Sequence, residues 1–304
     1  MTTPMPFGKE RKSSRFAFLT TSILLLVGLY TQVWQEPEQQ QTDDNNAVKN
    51  MRTTTTTTTT KTTIQKTISQ ERLEVYDFVS TQHQEHPPPH LTRIHKDQIH
   101  VRPEDESLLP LDTIHREALL HRGVWMMLVD TDDRMLVLKR GAQLVTCPNA
   151  WTLVGEHQKD RESSQETMLR GIQEELGSFL LGHIQRIHPL VPDDDPLLYY
   201  REYGPTNDNR VDNQLTHVAW IQLDLPADSI ELDIDEEVAE YGWKSVEEIR
   251  GWFREAHENL EATGETGDLV CHETVLSLWE YMVGRYIELK GQVESNTDDR
   301  RRIT

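Results

Sequence analysis

Cysteine is nearly absent. Cys147 and Cys271 are the only two in 304 residues, which excludes a disulfide framework and a cysteine-rich zinc site. One bridge between them stays open in an oxidising compartment, and two ordinary thiols stay open as well. Basic residues are also short, 31 against 51 acidic ones, for a formal charge of −20. That balance excludes general nucleic-acid binding, which needs a basic surface. Phosphorylated ligands remain open, because bound divalent cations reverse a local field. Hydrophobic residues make up 36% of the chain, so a good part of it lies outside any packed core. No Asn-x-Ser/Thr acceptor occurs anywhere.

Long uncharged apolar runs are missing except at one place. Phe16 to Gln35 carries no charge and centres on Ile23-Leu-Leu-Leu-Val-Gly-Leu-Tyr30. Twenty residues at about 1.5 Å each match a hydrocarbon layer of about 30 Å. Tyr30 and Trp34 sit where interfacial aromatics belong. No small-x-small cleavage site follows, so an uncleaved signal anchor over 16–35 is favoured over a cleaved signal peptide. Lys9, Arg11, Lys12 and Arg15 make residues 1–15 a basic cytosolic tail of a single-pass membrane protein. The rest is then expected in the lumen of the endoplasmic reticulum or Golgi.

Residues 36–118 read as a low-complexity stem and a transitional segment. The Gln/Asn/Asp-rich start and the unbroken Thr53–Thr60 run cannot bury enough surface to offset ordering entropy. The functional reading is a stem, the bland one a spacer. His83, His86, His90, His95, His100 and His115 lack tight ligand spacing, and prolines 87–89 interrupt them, so they are expected to be solvated. Asp193-Asp-Asp195 is expected to be a solvated turn for the same want of convergence.

The folded domain is expected over 119–290, with a polar tail over 291–304. Val124–Val129 and Met135–Leu138 read as a hairpin of buried strands. Trp151–Val154, Ile184–Leu190, Leu198–Tyr203 and Thr216–Leu223 read as further strands. Ser245 with Glu248 opens a helix, and His272–Leu289 forms a long one. The order fits an α/β/α sandwich around a mixed sheet.

Trp151 to Gly177 carries the chemistry. Ser163 with Glu166 is a capping box, Met168, Leu169, Ile172 and Leu176 give the helix an apolar face, and Gly177 is placed to end it. Arg170 and Glu174 lie one turn apart, with Glu175 beside them. Clustered carboxylates are hard oxygen ligands that suit Mg²⁺ or Mn²⁺.

This stretch resembles the box of the Nudix hydrolase family, G-x5-E-x7-R-E-U-x-E-E-x-G-U with U a bulky aliphatic. Glu162, Arg170, Ile172, Glu174, Glu175 and Gly177 match in the register that Glu162 sets. Glu156 stands at the box glycine, Gly171 at a glutamate and Ser178 at the last aliphatic; Gly155 fits the neighbouring glycine. The resemblance implies a Nudix-like fold and metal-dependent cleavage of a small-molecule diphosphate. Glu174 and Glu175, with the Gly155 carbonyl, would hold the metal, and Glu162 and Arg170 would pair. Glu156 or His157 would supply the ligand that Gly171 lacks.

A second likeness lies within the same fold. His121-Arg122-Gly-Val, Lys139-Arg140, Cys147-Pro-Asn-Ala-Trp151 and Asp212-Asn213-Gln214 are similar to parts of isopentenyl-diphosphate isomerase. Its Cys-Cys-Ser-His segment is Val154-Gly155-Glu156-His157 here, without cysteine. A hydrolase, a module that binds a phosphorylated ligand without turnover, and an isomerase relative thus stand as three readings.

Overall fold

β4 (Leu120–Val129) and β10 (Val211–Leu223) form the spine of the sheet. The apolar run from Val124 to Val129 has few polar atoms to place in water, as expected of a strand covered on both faces. It pairs in parallel with β10 from His121↔Gln214 to Val129↔Gln222. The other pairings in the sheet are antiparallel, so the sheet is mixed. β5 (Met135–Arg140) turns back from β4, β11 (Val238–Lys244) joins its far edge, and β8 (Ile184–Pro189) and β9 (Leu197–Glu202) pair with β10. This computed structural model describes residues 71–302 apart from 81, 84–87, 104, 205–208, 235–236 and 268. The anchor expected over 16–35 and the threonine run lie outside the described residues. Among the described residues no helix is long and apolar enough to cross a membrane.

Strand alternation sorts the spine into two cores. Val124, Met126, Leu128, Ala219 and Ile221 face α2 (Ser164–Leu176), which buries Met168, Ile172 and Leu176 against them. Met127, Val129, Val218 and Trp220 face α3 (Val246–Thr263) and α4 (Glu273–Arg302) through Phe253, Trp279, Met282 and Tyr286. Both expected capping boxes form: Ser163 Oγ accepts from the Glu166 amide at 3.2 Å, and Ser245 Oγ from the Glu248 amide at 3.3 Å. Gly177 follows α2 at φ 87°, a left-handed value that favours glycine.

Several boundaries differ from expectation. Residues before 119 are more than a connector: β1 (Arg72–Phe78) pairs with β4, β2 (Ile99–Val101) and β3 (Leu108–Pro110) pair with β1, and α1 (Leu111–Arg116) follows. Leu73, Val75 and Ile114 form a small core of their own there. The third strand splits into β6 (Trp151–Thr152) and β7 (Val154–His157), β10 begins at Val211 instead of Thr216, and α4 runs past Gly291. Cys147 and Cys271 are bonded, with Cα atoms 5.3 Å apart and a sequence separation of 124. The bridge fastens the loop before β6 to the segment entering α4, where the Trp151 amide also donates to the Leu269 carbonyl at 3.2 Å.

Candidate functional site

β7 decides where the box residues go. Successive side chains of a strand point to opposite faces. Gly155 lies against the Trp125 ring, 3.5 Å from where a Cβ would sit, and His157 shares that face. Glu156 points the other way, toward α2, where a Cβ on Gly171 would be 3.1 Å from its Cβ. Glu156 and His157 therefore lie on opposite faces of β7.

On the α2 side Arg170 is the hub. Its guanidinium donates to Glu162 through Nε at 2.7 Å and Nη2 at 2.9 Å, and Nη2 also reaches the His157 carbonyl at 2.6 Å. Nη1 stands 3.3 Å from both Glu156 Oε1 and Glu174 Oε2. Burial would raise the Glu162 carboxyl, but Arg170, the Lys159 amide and the Thr167 hydroxyl hold it below the usual range. Glu156, with a side chain 14% exposed, is pushed up by burial against the opposing pull of Arg170. Glu174 is partly exposed and also meets Lys159 Nζ at 3.6 Å. Glu175 lies close enough to Arg140 to favour its charge, while burial lowers that guanidinium. Arg140 is in turn fixed by the Thr146 carbonyl and hydroxyl at 3.0 and 3.1 Å.

On the other face three imidazoles converge. His115 from α1, His121 from β4 and His157 from β7 have ring centroids 5.2–5.5 Å apart and ligand atoms all within 4.8 Å of one another. The solvated role expected of His115 is thus wrong: α1 packs over the sheet and turns it inward. Burial lowers all three, His115 to about 3, and each ring is disfavoured further by its neighbours or, for His121, partly restored by Asp212. His121 Nδ1 is 3.1 Å from the Leu119 carbonyl, which fixes the proton there and leaves Nε2 as a bare lone pair. That lone pair faces Asp212 Oδ1 at 3.4 Å, and both atoms are buried without a hydrogen bond, as is His115 Nε2. Two acceptors facing each other call for a proton or a cation between them. The three imidazoles form a donor set that fits a divalent transition metal.

Surrounding groups hold this cluster. Gln214 Nε2 is 3.4 Å from His157 Nδ1, its carbonyl accepts from Thr216 at 2.6 Å, and a side chain on Gly123 would collide with it. Arg210 Nη2 lies 3.0 Å from His115 Nδ1 and 2.9 Å from Asp112. Arg201, itself buried, donates to both disulfide sulfurs at 2.9 Å and lies over the Tyr203 ring. His115, Arg201 and Arg210 escaped sequence reasoning because no local spacing marks them; only the fold brings them to Asp212.

Residues 119–263 match the family model described as NUDIX domain. The chain is 24% identical over 146 residues to isopentenyl-diphosphate Delta-isomerase 1 of Aromatoleum aromaticum, covering 43% of this chain and 82% of that protein. Among solved structures, DR0079 from Deinococcus radiodurans aligns at 16% identity and a TM-score of 0.42, over 70% of this chain and 99% of that one. The NUDIX domain of Shewanella oneidensis NrtR, solved with ADP ribose, aligns at 16% identity and 0.31, over 43% and 75%.

Proposed function

We propose that this chain, which carries a NUDIX domain over residues 119–263, is a divalent-metal-dependent hydrolase of a small-molecule diphosphate. The observation that carries the reading is the convergence of His115, His121 and His157 on one another, with His115 Nε2, His121 Nε2 and the Asp212 Oδ1 that faces His121 left unpaired. That cluster suits Mn²⁺ or another imidazole-binding divalent ion, while the carboxylates Glu174 and Glu175, with the Gly155 carbonyl, suit Mg²⁺ or Mn²⁺. A cation held there supplies charge neutralisation at phosphorus and a more acidic bound water. The chain's own part is positional. Arg170 locks the box loop to α2 through Glu162 and donates to the His157 carbonyl, which ties the helix to the strand that carries one of the three imidazoles. Arg140, Arg201 and Arg210 supply positive charge on a strongly acidic protein, which favours an anionic substrate.

The second reading, an isomerase of a prenyl diphosphate, draws on the imidazole cluster and on the likeness to the Aromatoleum protein. Against it, Val154 and Gly155 offer no group to carry a proton where the resemblance requires cysteine. Nucleoside diphosphate derivatives and prenyl diphosphates, assayed with Mg²⁺, Mn²⁺ and Zn²⁺ beside Glu174→Gln, separate the readings. Metal-dependent release of a phosphomonoester that Glu174→Gln abolishes supports the hydrolase. A rearranged prenyl diphosphate supports the isomerase, and metal binding without turnover on any substrate sinks both in favour of a binding module.

The same proposal places residues 16–35 in a membrane with the domain in an oxidising lumen. The Cys147–Cys271 bond is consistent with that compartment. Protease protection in intact membranes tests it: digestion of the domain from the cytosolic side would refute the assignment.

A further inference from the structure

Arg201 is a buried cation with unusual partners. It lies on β9 with 7% of its surface exposed. A buried guanidinium ordinarily faces a carboxylate, because an unpaired charge is costly away from water. Among the described residues no carboxylate forms an ion pair with Arg201, and its Nε has no hydrogen-bond partner. Nη1 instead donates to Cys147 Sγ and Nη2 to Cys271 Sγ, each at 2.9 Å. Its central carbon lies 4.2 Å from the centre of the Tyr203 ring. A disulfide sulfur is neutral and accepts weakly. A thiolate in the same place completes an ion pair with the guanidinium. Arg201 thus gains a counter-ion only when the bond opens.

The surroundings favour opening as well. Arg140, held by the Thr146 carbonyl and hydroxyl next to Cys147, adds a second positive charge. Tyr203, pushed up to about 12 by burial, and His272, lowered by burial, add no charge near neutrality. Asp212 acts on Arg201 through its charge but stands against His121. Both cysteines are half-buried, so a small thiol can reach them. Cys147 has φ 54°, in the left-handed region that a cysteine seldom adopts, and opening the bond frees its backbone to relax.

We propose that Cys147–Cys271 is a thiol–disulfide exchange site for a small monothiol of the glutathione class, with Arg201 stabilising the leaving thiolate. The incoming thiolate attacks one sulfur and forms a mixed disulfide with it. The electron pair of the broken S–S bond stays on the other sulfur, which leaves as a thiolate against a guanidinium N–H. A second thiol then attacks the mixed disulfide. Two glutathiones become glutathione disulfide, and their two electrons and two protons end on Cys147 and Cys271. Each sulfur faces its own Nη, so either can leave. This chemistry needs neither a metal nor a diphosphate.

The test equilibrates the full chain with mixtures of reduced and oxidised glutathione and counts protein thiols by mass after alkylation. The bond is expected to open at ratios where a melting curve still shows a folded domain. Arg201→Met, similar in length and uncharged, is expected to shift the equilibrium toward the disulfide and to slow opening, each by about tenfold. Arg201→Lys keeps the charge and is expected to recover part of both effects. A melting curve on each variant checks folding, and Arg201→Gln replaces Arg201→Met should the latter not fold. A bond that glutathione opens only as the domain unfolds overturns the proposal. So does an uncharged variant with the parent's equilibrium and rate, or a lysine variant no better than the uncharged one.

Discussion

The Cβ that Gly171 lacks would lie 3.1 Å from the Cβ of Glu156, closer than well-packed side chains ordinarily approach. A glycine inside a helix costs about 0.5–1 kcal/mol against alanine, so Gly171 is retained here for space. Gly171→Ala is expected to destabilise the domain by about 1 kcal/mol, because overpacking outweighs the gain in helix propensity. In a Glu156→Gly background the same change is expected to stabilise by about 0.5 kcal/mol. Urea unfolding of the four proteins measures the cycle. Additivity within about 0.5 kcal/mol would mean the two positions are independent.

The Cys147–Cys271 bond closes a span of 124 positions that includes α2, β10 and the box. Constraint of the unfolded chain by a loop of this size contributes about 3–5 kcal/mol. Reduction is therefore expected to lower Tm by about 10 °C. Arg201 loses its fixed partners at the same time, so the region around Asp212 should loosen first. Hydrogen exchange at residues 199–203 with and without reductant reads that order, and a melting temperature indifferent to reductant would refute the stabilising role.

Acid should weaken the fold through histidines outside the imidazole cluster. Burial lowers His217 to about 4, with Arg122 adding to the effect, and lowers His90 to about 4 against the Thr274 carbonyl. Both are neutral in the folded state and regain an ordinary proton affinity, near pH 6.5, on unfolding. The unfolded chain thus binds more protons between about pH 6.5 and 4. Their stabilisation is complete above the upper limit and is lost as pH falls toward the lower one, by about 1.4 kcal/mol per pH unit for each group. His217→Gln should flatten the slope of unfolding free energy in that window; an unaltered slope would exclude His217 as a contributor.

Local chemistry made much of the domain legible beforehand. Ser163 with Glu166 and Ser245 with Glu248 announce helix starts because the capping bonds are made within four residues. The apolar runs at 124–129 and 135–138 announce buried strands because they have nowhere else to go. The pairing of β10 with β4 was invisible, since parallel pairing needs a long crossover and leaves no turn signal. His115 was misread for the same reason: its partners lie on other elements, and a six-residue offset from His121 follows neither helix nor strand periodicity. Glu156 and His157 were legible as candidates but not as residents of opposite faces, because that depended on β7 being a strand.

The imidazole cluster and its carboxylate are contributed by positions from 115 to 212, and the last arrives on a strand that runs parallel to the one carrying His121. During synthesis the box helix emerges from the ribosome before β10 does. A nascent chain ending before Val211 would already hold three imidazoles and the box carboxylates, yet would have no Asp212 to face His121. Completion of the His121–Asp212 pair is therefore a late event, gated by the arrival of β10, and Cys271 emerges later still. A premature stop within this interval would yield a polypeptide with these imidazoles and carboxylates but without the strand that carries Asp212, a substrate for quality control.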